Sequence, residues 1–316
     1  MTAANSCIVL SEALAPPAIA PELLKQLPTY APNLVRYLDQ GQSQFITTQV
    51  EQNLCTALEW WLIEQAQFTS STAKHNAALA LLLAAQAEKT PDSASTEPFW
   101  LVELIHMAPS RDGAALIPAH VLQINPDHSQ TLLEAAQTLC EGTSFSLHPW
   151  STTHWELRSQ NKLAPLFASS QLVSRTSVND WWDQEPRNKE WRRFVNELQM
   201  LYFNHPVNNQ RQAQGLLPVN SLWPVGGLAP ALWQPQPRPL KQISALTSAY
   251  LSQDWGLWLR QLQELDTQLL PFLKQNPEII LSNTEQLLII RPRTARIWHR
   301  FIKPTSTWRT HWLAQS

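Results

Sequence analysis

The chain has 316 residues, enough for one large domain or two interleaved ones, and its 23 basic and 25 acidic side chains give a formal charge of −2. No Lys/Arg run and no acidic block interrupts that balance, which argues against nucleic-acid or anionic-membrane binding through bulk charge. Charged residues are only 15% of the chain, so amides carry much of the polar surface, and hydrogen bonding rather than electrostatic steering is the expected mode of contact.

In chain order, Cys7 to Leu10 is a short apolar, β-branched run that predicts a buried strand ending in Ser11 and Glu12. Glu22 to Gln26 and Pro32 to Leu38 read as short helices, the second stopping at Gly41. Thr47 to Gln65 sets Val50, Leu54, Ala57, Leu58, Trp61 and Leu62 at helical spacing, and Lys74 to Glu88 is alanine- and leucine-rich and helical. Lys89 to Pro98 is a polar connector. Beyond it Phe99 to Met107 and Ala114 to Ile124 are strand-like, Gln130 to Cys140 is a helix, and Ser144 to His148 with Thr153 to Arg158 forms a strand pair. Trp181 to Asn204 is helical in its second half, with Trp191, Phe194, Val195, Leu198 and Tyr202 on one face and Pro206 as its stop. The proline-rich stretch from Pro224 to Pro239 reads as loop. Ser248 to Lys274 is helical with a break at Pro271, and Glu278 to Leu281 with Gln286 to Ile290 is a strand pair around Ser282, Asn283 and Thr284.

Three widely spaced cysteines, Cys7, Cys55 and Cys140, form neither a CxxC pair nor a disulfide ladder, so reduced thiols and a cytoplasmic location are expected. No signal-like segment opens the chain, and the apolar run from Ala77 to Ala87 is too short to span a bilayer, so no membrane association is expected. The 15 tryptophans, Trp60, Trp61, Trp181, Trp182, Trp191, Trp255 and Trp258 among them, read as core and edge packing, and only 7 glycines leave little material for phosphate-cradling loops.

The densest motif is Val195 to Gly227, with His205, Pro206, Val207, Asn208, Arg211, Gly215, Val219, Asn220, Leu222, Trp223 and Gly226 at its marked positions. It resembles the signature region of bacterial phosphoglycerate mutase-like, or RpfE-type regulatory, proteins and more distantly that of archaeal-type cofactor-independent phosphoglycerate mutases. Pro32, Asn33, Leu34, Arg36, Leu38 and Gly41 resemble a helix of the alkaline-phosphatase superfamily, and the Cys7 to Leu10 run its opening strand. Phe99 to Arg158 resembles the inserted unit of those mutases, and Glu264, Leu265, Asp266, Leu269 and Leu270 the helix before their last metal site. The resemblance implies an α/β fold, a degenerate alkaline-phosphatase-like core with an inserted α+β unit, the alternative being a single α+β domain. It implies three segments: residues 1–95 as the first part of the core, 96–190 as the insert, and 191–316 as the motif and the second part of the core.

Phosphomutases of that superfamily need a hydroxyl nucleophile beside two divalent metals held by clustered Asp and His ligands. Where the family's first strand ends in Asp-Gly, this chain has Ser11-Glu12; it has no Gly-Ser-Asp turn; and the family's late Asp-His pair falls near Asn283 and Thr284. The nine histidines are scattered, with His106, His120 and His154 reading as satisfied strand-side residues, so neither a metal nor another cofactor is expected. After Trp223, Pro224, Val225, Gly226, Gly227 and Leu228 replace the family's tryptophan- and glycine-rich end.

The candidate ligand-binding residues are Asn196, Gln199, His205, Asn208, Arg211, Asn220, Ser221 and Trp223. On a helix, Asn196, Gln199 and Phe203 share one edge that leads into His205, Asn208, Arg211 and an Asn220-Ser221 turn, with Trp223 as an apolar wall. The same amides also suit satisfaction of buried backbone groups around an irregular loop. The expected function is a non-catalytic, binding or regulatory relative of the mutase-like proteins, acting on a small polar ligand or a protein partner and not on nucleic acid. A metal-dependent phosphotransferase and a structural interaction module stand as alternatives.

Overall fold

The computed structural model describes residues 7–68, 74–89, 91–111, 113–160, 163–164, 167–182, 184–234, 240–293 and 307–313. They form two compact units, one from Met1–Gln49 with Pro237–Ser316 and one from Val50–Gln236. The second is an insertion in the sequence of the first, so the fold is an α/β core carrying an α+β insert. Its borders, at 49/50 and 236/237, differ from the expected 95/96 and 190/191. The polar connector that suggested the earlier border is a surface turn within the insert, where Ser95 O accepts the Ala231 amide at 3.1 Å.

The core unit is built on a sheet in the order Leu240–Ile243, Cys7–Leu10, Glu278–Ser282, Gln286–Arg291, Gln42–Thr47. The first three strands run parallel, with Leu10 level with both Ile243 and Leu281, and Gln286–Arg291 runs antiparallel to both of its neighbours, Glu278–Ser282 and Gln42–Thr47. Cys7–Leu10 and Glu278–Ser282 are buried at every residue, which is why they read as continuous apolar runs rather than alternating ones. Ile8, Leu10, Ile279 and Leu281 pack with Trp258, Leu262, Leu265 and Leu269 of the helix Trp255–Leu273, and each fully buried aliphatic side chain contributes about 2 kcal/mol. Asp266 on that helix caps the neighbouring helix Pro32–Gln40: Oδ1 accepts the Leu34 amide at 2.7 Å, and Oδ2 the Asn33 side-chain amide at 2.7 Å. A carboxylate there complements the positive helix end.

The insert centres on the long strand Phe99–Ser110, which pairs antiparallel with Gly113–Ile117, His154–Ser159 and Ser221–Leu228, while His154–Ser159 also pairs with Phe145–Pro149. Alternation along the long strand sends Phe99, Leu101 and Ile105 to one cluster, with Leu79, Leu172 and Trp223, and Trp100, Val102 and Leu104 to another, with Leu132, Trp191, Phe194, Leu198 and Tyr202. The second cluster is covered by the helices Pro126–Cys140 and Lys189–Phe203, whose buried face is the one the periodicity predicts.

Several expectations change. The segment 47–65 is not one helix: Gln42–Thr47 is strand, Val50–Asn53 is one turn, Leu54 is left-handed at φ 56°, and Ala57–Glu64 starts afresh. Thr56 and Glu59 form a reciprocal capping box at that start, an N-terminal signal stronger than continued periodicity. Ala114 to Ile124 is strand only over Gly113–Ile117, and His120 is exposed in the turn Ala119–Val121 rather than on a strand. Pro206 stops one helix and begins the next, Pro206–Ala213. The 248–274 helix divides at Gln253, φ 56°, and Asp254, which caps Trp255–Leu273; Pro271 lies inside that helix without breaking it.

Pro224 to Leu228 is strand, not loop. Among the described residues Ser221–Leu228 pairs with Phe99–Ser110 alone, and a strand at the edge of a sheet tolerates a proline. The register shifts between Phe99 and Trp100, opposite Leu228 and Gly226. Gly226 has φ +108°, and a Cβ there would stand 2.6 Å from Phe99 O, so glycine is required. Residues 235–239 of the proline-rich stretch lie outside the described residues.

Candidate functional site

The motif folds as helix Lys189–Phe203, a short link through His205, helix Pro206–Ala213, a turn and the strand Ser221–Leu228. His205 caps the second helix, its Nδ1 accepting the Val207 amide at 3.3 Å. Gly215, at φ +74°, ends that helix in the left-handed conformation, and the Leu216 amide returns to Arg211 O at 2.9 Å.

Three of the predicted site residues meet around this turn. Asn208 is buried and donates Nδ2 to Tyr202 O at 2.9 Å and to Val219 O at 2.8 Å, while its Oδ1 accepts the Val219 amide at 2.9 Å. Arg211 is fully buried and donates Nε to Leu217 O at 2.9 Å, Nη1 to Gln123 O at 3.4 Å and to His128 Nδ1 at 3.1 Å, and Nη2 to Leu122 O. Asn220 closes the turn against the long strand, accepting the Met107 amide at 2.7 Å and donating to Met107 O at 2.9 Å. It is the residue that leads into the strand, not half of an Asn220-Ser221 turn, since Ser221 already pairs with Ile105. These amides and this guanidinium therefore satisfy backbone groups of an irregular connection.

Of the remaining candidates, Gln199 and Ser221 meet beside Met107, the backbone partner of Asn220. Asn196 is exposed, and Gln199 Nε2 lies 3.3 Å from both Ser221 Oγ and Met107 Sδ. Ser221 is buried, and His205 is half-buried with its imidazole held below its ordinary pKa by burial. Trp223 is buried, donates its indole N–H to Ala168 O at 2.7 Å, and lines a shallow pocket with Phe167, Trp182, Trp191, Arg192, Leu222 and Pro224. The pocket holds about one water molecule, and neither Arg211 nor Asn220 lines it.

Sequence reasoning missed the partners of Arg211. His128 belongs to the first turn of the helix Pro126–Cys140, capped by Asn125 Oδ1 on the His128 amide at 2.7 Å. Asn125-Pro126 is an N-cap and first-position pair that was available as a signal for this earlier start. Also missed was Glu103, buried in the long strand, whose Oε1 accepts the Ala119 amide at 2.8 Å and whose Oε2 is 3.9 Å from His154 Nε2. His106 donates from Nδ1 to Pro218 O at 2.9 Å, since a carbonyl only accepts, and Nδ1 therefore carries the proton.

In the core unit, parallel pairing brings the two strand ends of interest side by side: Leu10 is level with Leu281, so Ser11-Glu12 and Ser282-Asn283 leave the same edge. Carboxyl ends of parallel strands are where α/β folds gather ligand chemistry. Here Ser11 Oγ accepts from Gln242 Nε2 at 3.0 Å, and Asn283 Oδ1 accepts the Glu285 and Gln286 amides at 3.0 and 2.8 Å. Glu12 is buried with a left-handed φ of 56°, and its carbonyl accepts the Trp258 indole N–H at 2.9 Å. Among the described residues no three His, Cys, Asp or Glu side chains gather as a metal site requires, and no helix is long and apolar enough to cross a membrane.

No protein-family model matches the chain, and no curated protein matches it significantly. Solved structures similar to it include the cofactor-independent phosphoglycerate mutase from Thermoplasma acidophilum DSM 1728, 14% identical with a TM-score of 0.33 over 90% of this chain and 89% of that one. Another is the PH0037 protein from Pyrococcus horikoshii, 12% identical with a TM-score of 0.43 over 92% of this chain and 88% of that one. Likeness at this level bears on neither site nor chemistry.

Proposed function

We propose that this chain is a non-catalytic, binding or regulatory relative of the phosphoglycerate mutase-like proteins, built on a degenerate alkaline-phosphatase-like core. The observation that carries the reading is the side-chain set at the carboxyl edge of the parallel strands. Activating a hydroxyl between two cations needs several anionic or imidazole ligands. The edge offers Ser11 and Asn283, both neutral and both engaged in holding the strand ends, with no imidazole beside them among the described residues and, as carboxylates, the buried Glu12 and the exposed Glu285 of the Asn283 turn. Metal analysis of the purified protein combined with a mutase assay in manganese tests this. No turnover is expected, and bound metal together with turnover restores the phosphotransferase reading.

Within the motif, the candidate residues divide between two tasks. Asn208, Arg211, Asn220 and Ser221 form the framework, and Asn196, Gln199, His205 and the Trp223 wall are the residues left to meet a small polar ligand. A thermal-shift screen against phosphorylated metabolites and nucleotides finds such a ligand through its stabilisation of the folded state. A second reading, contact with a protein partner, is favoured by Met200 and Phe203, which are 79% and 77% exposed one turn apart near the end of the motif helix. Loss of an isolated partner in Phe203→Ser at an unchanged melting temperature supports it, and unchanged capture removes it.

A further inference from the structure

We propose that His128 and Arg211 form an acid-released latch, in which protonation of the imidazole drives the guanidinium out of its carbonyl cage and loosens the turns 122–125 and 214–218. The inference begins with hydrogen-bond polarity. A guanidinium has donors only, so His128 Nδ1, 3.1 Å from Arg211 Nη1, must be the acceptor, and the ring's single proton sits on Nε2. A second proton has to enter at Nδ1. It would replace an N–H···N bond with two N–H groups pointing at each other and put two cations in contact.

The surroundings do not relieve that contact. Both side chains are buried, with His128 7% and Arg211 0% exposed. His128 lies in the first turn of the helix Pro126–Cys140, whose end is itself positive. Its own helix supplies Asp127, which is exposed and solvent-screened. The facing helix Lys189–Phe203 supplies Tyr202, whose hydroxyl donates to Leu132 O at 2.6 Å and whose pKa is raised well above normal by burial. The strands packed on the helix supply the Trp155 indole, which donates to Ser129 Oγ, and His148, which pairs with Ser146 Oγ. Arg211 does not escape by deprotonating, because its guanidinium remains charged across the accessible range.

The latch joins two turns far apart in sequence. Arg211 grips Leu217 O in its own connection and Leu122 O and Gln123 O from 88 to 89 residues away. Gln123 holds a left-handed φ of 50°, a conformation that a glutamine keeps only when its neighbours enforce it. Ejecting the guanidinium removes three of the ties on these turns at once. The ties of Asn208 to Val219 and of Asn220 to Met107 remain, so release is local.

The sign follows from the direction of the shift. Burial first, then Arg211, hold the folded-state imidazole below its ordinary pKa, with Asp127 opposing. In the latched state the imidazole is neutral and in the open state it takes up a proton, so opening is independent of pH above the open-state pKa, about 6.5, and grows as pH falls below it. Amide exchange across 122–125 and 214–218, corrected for intrinsic rates, should therefore be about tenfold faster at pH 5.5 than at pH 7.5. His128→Asn, which keeps an acceptor near Arg211 but does not titrate, should abolish that increase while His106, His154 and His205 continue to titrate. An equal increase in the variant overturns the latch. Nitrogen NMR of the wild-type imidazole provides a readout that needs no variant: a bare Nδ1 at pH 7.5 whose protonation coincides with the exchange increase supports the latch. Protonation without change at the two turns refutes it.

Discussion

Around Arg211 in the insert, one buried side chain ties carbonyls of two separate turns, whereas at the strand edge of the core Ser11 meets a single side chain of the adjacent strand, Gln242, and Asn283 bonds within its own turn. The buried network bonds mainly to backbone carbonyls, with His128 as a side-chain partner of Arg211, so its members hold the fold. At the strand edge each side chain makes few bonds: Ser11 accepts one from Gln242 on the adjacent strand, and Asn283 shapes its own turn. The contrast separates residues that fix the scaffold from positions where chemistry can be lost without loss of the fold.

Four substitutions test that contrast. The largest effect is expected from Arg211→Met, which strands several buried carbonyls and the His128 acceptor; about 3 to 5 kcal/mol of stability should be lost, read by urea unfolding. Loss of under about 1 kcal/mol would mean the cage is hydrated. Asn208→Ala removes the side-chain partner of the Val219 amide and carbonyl and one of the donors to Tyr202 O, and should cost about 2 to 3 kcal/mol in the same measurement.

Asn220→Ala breaks two bonds to Met107 beside the strand and should cost about 1 to 2 kcal/mol. If melting temperature holds while ligand binding falls, Asn220 moves from scaffold to ligand site; parallel loss of both keeps it in the scaffold. Ser11→Ala is the mildest, removing one acceptor for Gln242, with an expected loss of about 0.5 to 1 kcal/mol and no change in sheet content by circular dichroism. A loss as large as that of Arg211→Met would erase the distinction between the two regions.

Much of the fold was legible in local pattern. The Cys7–Leu10 strand, the Glu278–Ser282 and Gln286–Arg291 pair, and the buried face of Lys189–Phe203 follow from apolar runs and 3.6-residue spacing. The misplaced helix starts share one cause, which is that helical periodicity continues through capping signals. Thr56 with Glu59, Asn125 with Pro126, and Asp254 each start a helix that spacing alone extends or delays. Of the candidate residues, Asn208, Arg211 and Asn220 do gather at one turn, but which groups their side chains face was not legible. An asparagine aimed at a ligand and one aimed at a carbonyl have the same letters on either side.

By itself, the sequence determined that this protein has an α/β fold, that its thiols and tryptophans go largely into packing, and that its two expected catalytic strand ends carry Ser11-Glu12 and Asn283-Thr284. These are consequences of composition and of contacts within a few residues. Only the tertiary structure decided that Arg211 is caged by Leu122 and Gln123, that His128 is the base it donates to, and that Pro224 lies in a strand. Each depends on which backbone groups arrive from distant parts of the chain, and a carbonyl exists at every residue, so nothing in the local sequence marks the ones that will be met.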